Sequence, residues 1–334
     1  MMIKVAINGF GRIGRLAFRQ IVTSTDFDIV AINDLGTSSE LAYLVKYDTV
    51  HRSFHEDLIK STDNEIIVNN IKRIKVYNET NPENLPWKDL DVDLVLECTG
   101  KFTKYEDAYK HITAGAKKVL ISAPSKSDNV KTIVYNVNNN ILDGNEQIVS
   151  AASCTTNCLA PIVNIIEQYI GIETGFMSTI HAYTNDQATL DISHKKGILS
   201  RRGRACAANI IPTSTGAASA IGKVIPQLDG KLEGVAYRVP VEDGSLVEFT
   251  FVTKKATTLE ELNKVFELNQ NETLQITYEP IVSSDIIGKK AGAVIDGLST
   301  MVNKNLIKVV AWYDNEYGYT AQMLRTAKSM FKDK

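Results

Sequence analysis

The sequence predicts an α/β chain in two domains, the first a doubly wound parallel sheet and the second an α+β domain on a mainly antiparallel sheet. Three observations predict it. Up to about residue 150, short and almost continuous apolar runs alternate with amphipathic stretches, the pattern of strands buried on both faces and joined by right-handed crossovers. After residue 153 the strand-like runs come with fewer helical stretches between them. A chain of 334 residues, 44% of them hydrophobic, has core material for two domains rather than one, here 1–152 and 153–316.

In order, "IKVAIN" (3–8) is the first strand, and "RLAFRQIVTS" carries Leu16 and Ile21 at helical spacing behind it. "FDIVAIND" (27–34), "DLVLECTG" (93–100), "KKVLISAP" (117–124) and "QIVSAAS" (147–153) are the further strands of this sheet. In the second domain the strands are "GFMSTIHAYT" (175–184), "LEGVAYRVP" (232–240), "SLVEFTFVT" (245–253), "LQITYEP" (274–280) and "IKVVAWYDN" (307–315). The third puts Val247, Phe249 and Phe251 on one face. "TLEELNKVFELNQ" is a helix with Thr258 as N-cap, and the closing segment places Ala321, Leu324, Ala327 and Phe331 on one stripe that needs a partner surface.

Composition excludes several classes. A net charge of -2 offers no field for nucleic acid or an anionic membrane, and Arg201, Arg202 and Arg204 read as a solvated or subunit-facing loop. No apolar run approaches the roughly 18 residues of a membrane span. The chain enters its first strand without a signal-peptide pattern, so the expected compartment is the cytoplasm and the four cysteines are expected to be reduced. Cys98 and Cys206 stand apart from any residue at metal-ligand spacing, so no metal is expected and both read as inert packing.

"NGFGRIGR" places Gly9, Gly11 and Gly14 as G-x-G-x-x-G between strand and helix, with Asp34 at the end of the next strand, 20 residues beyond Gly14. Gly9 permits the tight turn, Gly11 lets the backbone approach a pyrophosphate, and Gly14 lets helix pack on strand. The helix N-terminus adds amides and a positive dipole end. Asp34 suits the ribose hydroxyls of NAD and repels a 2′-phosphate.

"SCTTNC" (153–158) holds the reactive chemistry. Ser153 is a good N-cap, which sets Cys154 in the first turn of the helix running through "TTNCLAPIVNIIEQYI", where dipole and amides favour thiolate. Pro161 should kink or adjust that helix. Cys158, one turn further in, reads as packing. Among the histidines, His51, His55, His111 and His194 read as surface or structural residues. His181, at the end of an apolar strand in the domain of Cys154, is the candidate base, although periodicity alone leaves this open.

"NGFGRIGR", "SAASCTTNCLAP", "HAYTNDQ", "NIIPTSTGAA", "YRVP" and "WYDNEYGY" resemble, in order and spacing over essentially the whole chain, the phosphorylating glyceraldehyde-3-phosphate dehydrogenase family. The resemblance implies a Rossmann cofactor domain completed by a C-terminal helix over 317–334, NAD as cofactor and a homotetramer. It makes Cys154 the catalytic thiol and His181 its base, acting on glyceraldehyde 3-phosphate and inorganic phosphate. Thr184 and Arg238 would hold the substrate phosphate; Ser153, Thr155, Thr215 and Gly216 would hold the attacking one. Gly9, Arg12, Ile13, Asp34, Thr99 and Ser122 would bind the cofactor, with Asn315 and Tyr319 bordering the nicotinamide.

The chain departs from the family in two places. "VEDGSLVEF" follows "RVP", so Val241 and Asp243 stand where the family has threonine and asparagine near the substrate phosphate site. Ile192-Ser193 replaces a Leu-Pro of NAD-specific members, which resembles forms that accept NADP, whereas Asp34 and Leu35 point to NAD. An erythrose-4-phosphate dehydrogenase shares nearly every motif and is the alternative enzyme. A non-catalytic binding protein is the alternative of another class, against which an intact Cys154, His181 and Arg238 argue.

Overall fold

Ile3, Val5 and Ile7 of the first strand face one apolar cluster and Ala6 faces another, which is why the run is apolar on both sides. The chain is described over residues 2–194 and 197–331 in a computed structural model. It forms two compact units, one of Met1–Tyr135, Asn139–Ala152 and Met323–Lys334, the other of Asn136–Asn138 and Ser153–Gln322.

In the first unit the order is β1 (Ile3–Asn8), α1 (Arg12–Ile21), β2 (Phe27–Asn33), α2 (Ser38–Lys46), β3 (Ile59–Ser61), β4 (Glu65–Val68), β5 (Lys72–Tyr77), β6 (Leu94–Glu97), α3 (Tyr105–Thr113), β7 (Lys118–Ile121), β8 (Lys131–Thr132) and β9 (Ile148–Ser150). They make one sheet in the order β3-β4-β5-β2-β1-β6-β7-β9-β8. Pairing is parallel from β5 to β8, and antiparallel at β3–β4 and β4–β5. The β3–β5 edge is not anticipated by the sequence reading, because its strands are short and mix charged with apolar residues. The C-terminal ends of β2, β1 and β6 lie side by side, the edge where a doubly wound sheet binds its ligand.

The second unit contains α4 (Cys154–Tyr169), β10 (Ile172–Ala182), β11 (Ile211–Ser214), α5 (Ile221–Val224), β12 (Leu232–Val239), β13 (Ser245–Thr253), α6 (Leu259–Leu268), β14 (Leu274–Thr277), β15 (Ala293–Asp296), β16 (Met301–Asn303) and β17 (Leu306–Tyr313). Its sheet runs β11-β12-β10-β13-β17-β15-β14, with β16 on β17. Pairing is mainly antiparallel, but β10–β12 and β14–β15 are parallel. The β10–β12 register sets His181 opposite Arg238. On β13, Val247, Phe249 and Phe251 are buried together. Helix α4 runs from Cys154 to Tyr169 with Pro161 inside it.

A last helix, α7 (Tyr317–Ser329), closes the chain. Met323, Leu324, Ala327 and Met330 enter the apolar cluster of the first unit, and Phe331 packs beside it. The stripe drawn from the sequence therefore shifts: Met323 and Met330 complete it, while Ala321 belongs to the second unit. The final three positions of the expected 317–334 helix lie outside the described residues.

Candidate active site

Ser153 adopts extended backbone and its Oγ accepts the Thr156 N–H at 3.1 Å, so α4 starts at Cys154. The residue before the cap, Ala152, sits at φ 59°, a left-handed conformation that costs a non-glycine residue about 1 kcal/mol and makes the turn into the helix sharp. Cys154 Sγ lies 3.5 Å from His181 Nε2. His181, 3% exposed, has Nδ1 2.7 Å from the Ala182 carbonyl and 3.0 Å from Arg238 Nη1. The guanidinium can only donate, and Nη1 also reaches the Ala182 carbonyl (3.0 Å) and Thr184 Oγ1 (3.1 Å). One assignment places the protons of Nδ1 and Nη1: Nδ1–H donates to Ala182, the two Nη1 protons go to Ala182 and Thr184, and the Nε2 lone pair faces the thiol.

The electrostatics correct one expectation. The helix terminus was expected to favour thiolate, yet burial pushes the Cys154 thiol up, outweighing the Arg238 guanidinium and the amides that pull it down. Burial and then Arg238 push His181 down to about 3. Both shifts favour the uncharged thiol and imidazole over a thiolate–imidazolium pair.

Further residues join this group. Thr184 donates to the Asp186 carboxylate, which also pairs with Arg202. Arg202, from the loop read as solvated or subunit-facing, is thereby tied to the site through Asp186. Arg238, 9% exposed, has a buried Nε without a hydrogen-bond partner among the described residues, an unspent donor suited to an anionic ligand. Thr179 and Tyr313, absent from the sequence reading, form a buried chain behind the thiol. Thr179 donates to the Leu246 carbonyl at 3.0 Å, so it accepts from Tyr313 OH at 2.8 Å, and Tyr313 in turn accepts from Thr155 at 3.0 Å. Thr179 could have been found two residues before His181 on the same strand face, and Tyr313 inside "WYDNEYGY".

Of the residues expected at the attacking phosphate, Ser153 spends its acceptor on the cap, Thr155 is 5% exposed and bonded to Tyr313, and the Thr215 hydroxyl accepts Ala217 N–H. Gly216 lies in the same loop between β11 and α5. Asn315 is buried, and its Oδ1 accepts from Ser245 at 2.6 Å; Ser245 in turn accepts from Ala182 N–H at 3.0 Å. Tyr319 is buried at the start of α7. Val241 braces the strand end, its carbonyl accepting Tyr183 N–H. Asp243 lies beside Asp314, with its carboxyl pushed up to about 9 by burial, Asp314 and Glu316. It is an acid that keeps its proton, in place of an amide.

In the first unit a cavity of about 310 Å³ is lined by Asn8, Gly9, Gly11, Asn33, Asp34 and Thr99, among others. Gly9 has φ +89° and no room for a Cβ, which would fall 2.6 Å from Thr99 N. Gly11 is the N-cap of α1 and brings no side-chain cap, so the positive end of the helix dipole faces the glycine turn. Arg12 itself pairs with Asp48. Asp34 accepts Phe10 N–H at 2.6 Å and Gly36 N–H at 3.0 Å, clasping the glycine turn while keeping acceptor capacity. Ser122 and Cys98 are hydrogen-bonded at the adjoining strand ends. Cys98 packs against the apolar cluster and also lines the cavity, and burial and then Glu97 push its thiol up to about 12, which keeps it unreactive, as expected. Cys158 and Cys206 are buried.

Comparison with known proteins follows this division. A family model described as glyceraldehyde 3-phosphate dehydrogenase, NAD binding domain, matches residues 3–105, and one described as the C-terminal domain matches 153–315. The chain is 53% identical to glyceraldehyde-3-phosphate dehydrogenase of Clostridium acetobutylicum over 97% of each chain. It is 52% identical to that of Clostridium pasteurianum and 49% identical to that of Streptococcus pyogenes, each over 99% of both chains.

Proposed function

The chain belongs to the glyceraldehyde-3-phosphate dehydrogenase family, and from that premise we propose that Cys154, His181 and Arg238 carry its reaction. It is an NAD-dependent oxidoreductase of glycolysis that converts D-glyceraldehyde 3-phosphate and inorganic phosphate to 1,3-bisphosphoglycerate. NAD, when bound, supplies the hydride acceptor. The start of α1 at Arg12 and Ile13, the bare Gly9 turn, Asp34, Thr99 and Ser122 would hold its adenosine and pyrophosphate, and Asn315 and Tyr319 its nicotinamide.

The protein's own groups do the rest. His181 Nε2 takes the thiol proton as Sγ adds to the aldehyde carbon, and returns it to the oxygen of the hemithioacetal. The same nitrogen removes that hydroxyl proton as the carbon is oxidised, leaving a thioester on Cys154. Inorganic phosphate, held by Ser153, Thr155, Thr215 and Gly216, attacks the thioester carbon and the sulfur leaves. Arg238, through its spare Nε–H, and Thr184, once its hydroxyl turns from Asp186, anchor the substrate phosphate. The observation that carries this reading is the 3.5 Å approach of Sγ to Nε2 at the start of α4.

No helix among the described residues is long and apolar enough to cross a membrane. The proposed setting is the cytoplasm and the proposed state a homotetramer. The deciding experiment is NADH appearance with glyceraldehyde 3-phosphate, with inorganic phosphate present or omitted and erythrose 4-phosphate run in parallel. Turnover that needs no phosphate, or that favours the four-carbon aldehyde, refutes the reading.

A further inference from the structure

The oxidation makes no use of one buried carboxylate, which sits beneath the cofactor cavity. Glu97, at the end of β6, is 1% exposed. Its Oε1 accepts the backbone N–H of Thr99 at 2.8 Å and the Thr99 hydroxyl; its Oε2 accepts Asn8 Nδ2–H at 2.6 Å and faces His111 Nε2 at 3.1 Å. His111 is fully buried on α3, and Trp87 Nε1 lies 3.0 Å from its Nδ1. An indole N–H can only donate, so Nδ1 must accept and the ring proton must sit on Nε2, aimed at Glu97. Asn8 is fixed the same way: its amide nitrogen serves Glu97 while its oxygen accepts from Asn33 at 2.7 Å. Asn33 closes the line on the backbone of Glu79, with two bonds of 2.9 Å.

One polar chain therefore runs from Trp87 through His111, Glu97, Asn8 and Asn33, under the adjacent ends of β6, β1 and β2. Asn8, Asn33 and Thr99 are also walls of the cavity. A desolvated carboxylate held by four donors is costly to disturb, so it fixes where those donors point. It aims the Thr99 amide and hydroxyl, and Thr99 N is the atom against which Gly9 turns. We propose that His111 and Glu97 are positioning residues for NAD, presetting the floor of the cavity on which the dinucleotide lies. The proposal rests on the reading of this cavity as the NAD site.

Its test compares His111→Leu, which withdraws the donor from Glu97, with His111→Gln, whose amide N–H can reach the place of Nε2. The expected result for the Leu variant is a KM for NAD raised on the order of tenfold, with kcat at saturating NAD and KM for the aldehyde near the parent values. The Gln variant should recover most of the NAD affinity. A residue that only stabilises the fold would lower the active fraction, and hence kcat, in both variants without moving KM for NAD; that result overturns the proposal. Should the Leu variant not accumulate as folded protein, His111→Asn, which keeps an acceptor for Trp87 but lacks the reach to Glu97, is judged by the same criteria. Gly9→Val reports on the cavity itself. If NAD binding survives that change, the cavity is not the NAD site and the proposal falls with it. If Gly9→Val abolishes binding while His111→Leu leaves it intact, the positioning role alone is wrong.

Discussion

Cys154 is held by a cap behind it and an imidazole in front, and each contact gives a separate expectation. Cys154→Ser should abolish dehydrogenase turnover while leaving NAD binding intact, since a hydroxyl is a far weaker nucleophile. Cys158→Ala, at a fully buried position, should leave kcat near the parent value and lower stability instead. Loss of turnover in the second variant but not the first would reverse the two roles. His181 adds a pH signature. Its folded value of about 3 lies below the ordinary 6.5, so the unfolded chain takes up a proton that the folded one refuses. The stability it contributes is complete above pH 6.5 and is lost as pH falls from there toward 3. Between pH 7 and pH 5, the stability advantage of the parent over His181→Asn in urea should shrink by about 2 kcal/mol, and a constant difference would contradict the assignment. Of the proposed pair, Cys154 is singled out in the sequence by local logic, a cap before a cysteine, whereas His181 is named as base only through the resemblance, and the fold brings the two within 3.5 Å. Thr179, Tyr313 and Arg202 are not legible as site residues. Thr179 and Tyr313 meet because β10 and β17 flank β13 in the sheet, and Arg202 reaches Asp186 from a separate loop, neither of which any local spacing reports.

At the scale of elements, propensity and capping explain what was readable. Thr258 opens α6 with a reciprocal capping box, its hydroxyl accepting Glu261 N–H at 3.2 Å while Glu261 accepts Thr258 N–H at 3.1 Å. Thr258→Ala should cost about 1 kcal/mol in urea unfolding with no change in catalysis. An equal loss of kcat would tie α6 to the active site, which none of its hydrogen bonds among the described residues does. The central strands of the first sheet were legible because burial on both faces demands unbroken apolar runs. The β3–β5 edge was hidden because an exposed antiparallel edge tolerates Lys60, Lys72, Arg73 and Lys75. β15 is only four residues long, and β11 contains Pro212 and two hydroxyl residues, so "NIIPTSTGAA" reads as a turn.

At the scale of the molecule, the first unit is not contiguous in sequence. Met323 and Met330 are fully buried in its core, though they follow the whole second unit. Met323→Ala should destabilise the NAD-binding unit by about 2–5 kcal/mol and lower NAD affinity before it alters thiol reactivity. A variant that lost thiol reactivity first would place this helix in the wrong unit. The sequence disclosed that the last segment has an apolar stripe, but not which positions the core accepts, since Met323 and Leu324 are both used and only packing distinguishes them from Ala321. The same split governs synthesis. Elongation proceeds at about 5–20 residues per second, so residues 153–322 occupy the ribosome for roughly 10–30 s after Ala152 has emerged. Through that interval the first-made half carries an apolar hollow awaiting Met323, Leu324, Ala327 and Met330. The first part of the chain to be made is therefore the last to be finished, and a nascent chain stalled before residue 323 displays that hollow to chaperones.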